Sequence, residues 1–207
     1  MDPVIRFLRA NPWSRRALSI LSGVLVVGAI GMLAYPVFTN AVADRRQSVL
    51  DREIASPEIE QAYAEGRLKD GDPLTRIKIP AIGVDTVVVE GTSASALKAG
   101  AGHYPTSPLP CEAGNVAIAG HRTTYGRPFH DLDRLKDGDV VILTTPIGTC
   151  TYVITKAPFI IPPSDFSVVA NDPTKNELTL TTCHPKGSAR QRLVTQATLV
   201  KGAGESA

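Results

Sequence analysis

An all-β domain of seven or eight short strands, a barrel or a sandwich, carried behind a single membrane-spanning helix, is the architecture this sequence predicts. Three observations carry it. Residues 17–38, ALSILSGVLVVGAIGMLAYPVF, contain no charged side chain. Beyond Pro73 the chain turns into short Val/Ile/Thr-rich runs cut by Gly, Pro and Asp, the texture of strands joined by tight turns. Aromatic residues make up only 5% while Gly and Pro number 17 and 16, which favours a turn-rich body over a helical bundle. With 43% apolar residues and a net charge of +2 over 207 residues, the chain is neither a disordered segment nor a general polyanion or nucleic-acid binder.

Residues 1–16 read as a basic tail, with Arg6, Arg9, Arg15 and Arg16 set against Asp2. The run at 17–38 follows. At about 1.5 Å of rise per residue it spans roughly the 30 Å hydrocarbon core as a helix. Gly23, Gly28 and Gly31 would weaken a soluble helix, but in lipid the backbone has no other way to satisfy its hydrogen bonds. Tyr35 and Pro36 suit the far interface. A cleaved signal peptide is the competing reading, with Ala41 and Ala43 as the nearest small-residue site. The apolar run exceeds the usual signal core, and no cleavage signature directly follows it. The expectation is an uncleaved anchor. Charges after the run (Asp44, Arg45, Arg46, Asp51, Arg52, Glu53) cancel, so the positive-inside rule puts the N-terminus in the cytoplasm and residues 39–207 outside.

Residues 39–72 are charged, Ala-rich and interrupted by Pro57. They read as one juxtamembrane helix or two short ones, acting as a spacer and ending in a loop at Gly71-Asp72-Pro73. The main domain is 73–203, with 204–207 as a tail. Its expected strands are 74–79, 84–90, 115–119, 139–143, 151–161, 177–182 and 193–200.

Three reactive side chains stand at the ends of these runs. His121 follows NVAIAG, Cys183 follows ELTLTT, and Arg192 opens RLVTQATLV. A thiol that attacks a carbonyl does so as thiolate, and an ordinary thiol has a pKa of about 8.5, so it needs a basic or cationic partner. Spacing alone does not show that His121 and Cys183 meet.

At these residues the chain resembles the sortases. TLTTC at 179–183 is similar to the family's strand-ending Thr-Leu-x-Thr-Cys signature, AGHRTTYG at 119–126 to its histidine segment, and QRLV at 191–194 to its arginine strand. The resemblance covers roughly residues 74–201. It implies a closed β-barrel with short helices and a cysteine transpeptidase that cuts a C-terminal sorting signal after Thr through a thioester. The thioester would pass to an amine on a cell-wall precursor or a pilin. Cys183 would be the nucleophile, His121 the acid and base, and Arg192 the group holding the substrate carbonyl or oxyanion. The wordings HRTTYG and TTCHP resemble class E sortases of high-GC Gram-positive bacteria, which implies Leu-Ala-x-Thr-Gly rather than Leu-Pro-x-Thr-Gly signals. Within that class Tyr104, in AGHYPTS, stands as the groove tyrosine tied to this preference. Thr182 would touch the substrate backbone or lend an amide to the oxyanion site. No cofactor is implied.

The remaining polar residues receive plainer readings. Arg122 is expected on the surface, His103 in a loop or groove, His130 on a loop surface, and His184 pointing away from the nucleophile. Cys183, His184, His121 and His103 lack zinc-site spacing, and Glu112, Asp131, Asp133 and Asp165 are too scattered for calcium, so no metal is expected. Three cysteines leave at least one outside any pair within the chain. Cys111 and Cys150 either close a loop of about 39 residues, stabilising by about 3–4 kcal/mol, or remain two unrelated thiols. An L,D-transpeptidase-like enzyme acting on peptidoglycan is a competing reading, but TLTTCHP departs from that family's Ser-His-Gly-Cys signature. A non-catalytic membrane-anchored binding domain is the other, and there Cys183 would be inert.

Overall fold

The computed structural model describes residues 12–202. Arg6, Arg9 and Asp2 of the basic tail, and the tail at 204–207, lie outside the described residues. The chain divides into two compact units after Phe38. The described residues of the first, from Pro12 on, belong to α1, Pro12–Glu53, a helix long and apolar enough to cross a membrane. Its Val24, Leu25, Ile30 and Leu33 are exposed, and Pro36 lies inside the helix.

The second unit starts with the C-terminal part of α1 and a short helix α2, Pro57–Ala64, whose first turn is capped by Ser56 accepting from the Ile59 amide. Pro57 sits where a helix tolerates proline, at its first position. Eight strands follow: β1 Pro73–Ile79, β2 Val84–Glu90, β3 Ala101–His103, β4 Gly114–Gly120, β5 Val140–Thr145, β6 Gly148–Ile161, β7 Asn176–His184 and β8 Gln191–Lys201. Helix α3, Ala94–Ala99, joins β2 to β3. The strands close into a barrel in the order β1-β2-β3-β4-β7-β8-β6-β5. The β2–β3 and β4–β7 pairs are parallel, and the other ladders are antiparallel. Ile77, Ile79, Val116, Ile118, Leu143, Tyr152, Leu178 and Leu180 fill the interior.

Seven of the strands fall where the Val/Ile/Thr runs place them. The addition is β3, a three-residue strand of Ala, Gly and His. It is too short and too poor in β-formers for local pattern to reveal, and it exists because β2 and β4 flank it.

The spacer reading of residues 39–53 is corrected. Gln47 donates through Nε2 to the Val87 and Ala99 carbonyls at 3.0 and 2.9 Å and accepts through Oε1 from Thr86 Oγ1 and the Val87 amide, each at 2.8 Å. Leu50 packs with Val87, Val89, Ala96 and Ala99 in a second apolar cluster, and Asp51 pairs with Arg76. Gly100 allows this approach, since a Cβ there would lie 2.4 Å from Gln47 Nε2. A side chain satisfied at both ends by main chain holds the helix to the sheet in one register.

Cys111 and Cys150 form a disulfide with Cα atoms 5.7 Å apart, and Cys183 is free.

Candidate active site

Strand register assembles the site. The parallel β4–β7 ladder ends at Gly120 opposite Thr182, so His121 and Cys183 are each the next residue along neighbouring strands. On the other side of β7, Cys183 stands opposite Arg192 of β8. Leu178 and Leu180 point into the barrel, so alternation turns Thr179, Thr181 and Cys183 to the outer face. The three candidates thus meet at one end of three adjacent strands.

His121 leaves β4 at a glycine for a steric reason. A Cβ at Gly120 would lie 2.6 Å from the ring of Phe129, a core residue. Phe129 also donates its amide to the His121 carbonyl at 3.2 Å, closing the loop that follows. The His121 ring lies 5.1 Å from the Tyr125 ring, centroid to centroid. Burial, and secondarily the charge of Lys98 on α3, hold its pKa below the ordinary imidazole value. The neutral ring is therefore favoured at rest, as a base requires.

Cys183 is partly exposed. Arg192 turns its guanidinium along the β7–β8 connection, where Nη1 donates to the Ala189 and Gln191 carbonyls at 3.0 and 3.1 Å. Arg190, two residues earlier in the chain, precedes β8 and lies outside the ladder. Tyr104 donates its amide to the Ala117 carbonyl, and its hydroxyl lies 3.3 Å from Thr181 Oγ1, two residues before Cys183 on the same face.

Four expectations change. Thr182 is 3% exposed, and its hydroxyl donates to the Gly120 carbonyl at 2.7 Å; the side chain lies on the face opposite Cys183 and does not reach the outer face. Arg122 is not a surface residue: it is 3% exposed. Its Nη2 pairs with Asp133 at 3.0 Å and its Nη1 lies 2.9 Å from His184 Nδ1 and 3.3 Å from the Cys183 carbonyl. His103 is a core residue of β3, with Nδ1 2.8 Å from Glu90 Oε2 and Nε2 2.9 Å from the Pro108 carbonyl. His130 is half-buried, its Nδ1 2.7 Å from the Arg122 carbonyl. Local sequence does not single out Arg122, because Arg127 and Arg134 in the same connection are exposed. Among the described residues, no group of three or more His, Cys, Asp and Glu side chains is arranged to hold a metal ion.

The family described as "Sortase domain" matches residues 77–200. The chain is 37% identical over 121 residues to Sortase D of Bacillus subtilis, an alignment covering 57% of this chain and 59% of that relative's length. Among solved structures, a Clostridium perfringens Sortase D5 transpeptidase superposes with a TM-score of 0.67 at 30% identity, covering 77% of this chain and 99% of that one. Sortase E from Streptomyces avermitilis superposes with a TM-score of 0.60 at 36% identity, covering 67% and 97%. Relatives named for class D thus stand beside the class E likeness.

Proposed function

We propose that this chain, which belongs to the sortase family, is a membrane-anchored cysteine transpeptidase acting at the outer face of the membrane. The observation that carries the reading is the register that sets His121, Cys183 and Arg192 on adjacent strand ends. Residues 17–38 are the anchor, with the N-terminus cytoplasmic, residues 39–72 the membrane-proximal segment, and 73–203 the catalytic domain. The helix α1 is long and apolar enough for that task.

The substrate is a C-terminal sorting signal of the Leu-Ala-x-Thr-Gly or Leu-Pro-x-Thr-Gly type. Cys183 passes its thiol proton to the neutral His121 ring, and the resulting thiolate attacks the Thr carbonyl carbon. The C–N bond to Gly breaks, and His121 in its protonated form gives a proton to the departing amine. An amine of a cell-wall precursor or pilin then attacks the thioester, the C–S bond breaks, and its proton passes to His121. Arg192 swings from its carbonyl partners to hold the oxyanion, a role suited to a permanently charged, forked donor. Tyr104 lines the groove beside Thr181, and Thr182 contributes its main-chain amide.

The test uses the full chain in detergent with quenched peptides of both signal types and an amine acceptor. Cys183→Ala and His121→Ala reduce cleavage and transfer to background. Undiminished cleavage by Cys183→Ala overturns the assignment, and the ratio of the two peptides' kcat/KM values fixes the signal class.

A further inference from the structure

We infer that Arg122 is a positioning residue for the transpeptidation step, locking the base-bearing loop to the peptide of the nucleophile. This rests on Cys183 as nucleophile and His121 as acid and base. The backbone ladder between their strands stops at Gly120 and Thr182, one residue short of both groups. Beyond that point a different link must hold their separation, because a loop and a strand end are free to diverge once their hydrogen bonds cease.

Arg122 supplies that link. Its backbone adjoins His121, and its side chain crosses to β7 to donate to the Cys183 carbonyl at 3.3 Å. The same nitrogen lies 2.9 Å from His184 Nδ1. A guanidinium only donates, so Nδ1 accepts and the His184 ring carries its hydrogen on Nε2. Two further donors are used: Nε reaches the His130 carbonyl at 3.4 Å, and Nη2 pairs with Asp133 at 3.0 Å. Lys186 repeats the connection on the surface, bonding Asp131 at 3.0 Å from the β7–β8 side. Asp133 balances the buried charge, so the effect of Arg122 on the site is geometric. Planarity matters here, since the fork serves Asp133, His184 and the Cys183 carbonyl at once, and the single ammonium of a lysine does not span them.

The test compares wild type, Arg122→Lys and Cys183→Ala as full chains, measuring steady-state peptide cleavage and thermal melting. For Arg122→Lys, kcat falls about 10- to 100-fold, the cost of a small misplacement of reacting groups. KM stays within about twofold, as expected when an interaction acts on the transition state alone. A wild-type kcat in Arg122→Lys beside an inactive Cys183→Ala overturns the positioning role and leaves the function standing. A kcat loss that vanishes when divided by the folded fraction also overturns it. Should Arg122→Lys melt below the assay temperature, Asp133→Asn, which keeps the guanidinium but removes the carboxylate that aims it, is measured instead, and an unchanged kcat there overturns the proposal. Active Cys183→Ala removes the underlying function first.

Discussion

The two flanks of Cys183 are built in opposite ways. Toward β4, two buried polar side chains bridge the strands: Thr182 Oγ1 donates to the Gly120 carbonyl, and Arg122 reaches Asp133, His130, His184 and the Cys183 carbonyl. Toward β8, the partly exposed Arg192 donates only to carbonyls of its own connection, Ala189 and Gln191. A buried side chain with several partners costs several interactions to move, whereas an exposed one exchanges its partners for water or substrate at little cost. The closed flank sets distance, and the open flank is the one able to respond when a substrate arrives.

The sharpest way to break this contrast is on the open side. Arg192→Ala lowers kcat by about 100- to 1,000-fold, the usual loss of an oxyanion donor, while the melting temperature stays near wild type; steady-state kinetics and calorimetry read both. Arg190→Ala keeps nearly full turnover. Equal losses from the two would move the role off the β8 ladder.

On the closed side the order reverses. Thr182→Val leaves a buried carbonyl at Gly120 without its partner, costing about 1–3 kcal/mol of stability, measured by denaturant unfolding. Turnover per folded molecule falls less than in Arg192→Ala. Gln47→Ala tests whether helix α1 shares this rigidity. It strands the Val87 amide and weakens the hold on β2, with a loss in the same range of about 1–3 kcal/mol. A truncated chain beginning at Pro73 melts lower still than one beginning at Thr39.

The smallest effect is electrostatic. Burial first and Lys98 second keep the His121 pKa below the ordinary imidazole value. As pH falls through that ordinary value the unfolded chain takes the proton before the folded one, so stability declines from there down to the folded value and is unaffected above the window. Lys98→Gln narrows the window and moves the His121 limb of the pH–rate profile to higher pH. A limb that moves lower, or not at all, removes Lys98 from the site's charge balance.

Much of this molecule is legible one residue at a time. Strands carry their signature locally, as β-branched residues between turn formers, so seven of the eight lie within a few positions of where the pattern puts them. The exception, Ala101–His103, has no such signature, and it is this strand that takes His103 into the core beside Glu90. Cys183, His121 and Arg192 are marked by motif and by their place at strand ends. Their meeting is not, because proximity depends on which strands pair.

Read along the chain, the residues specify an apolar 22-residue run, a β-rich domain behind it, and the side-chain types able to perform acyl transfer through a thiol. Closure of the barrel is what pairs Cys111 with Cys150 and leaves Cys183 free, packs residues 39–53 on the sheet, and buries Arg122 while Arg127 and Arg134 stay exposed. The reason is common to all three. Periodicity and propensity are properties of neighbours along the chain, whereas a disulfide, a docked helix and a buried guanidinium are each fixed by groups from segments that lie far apart in sequence.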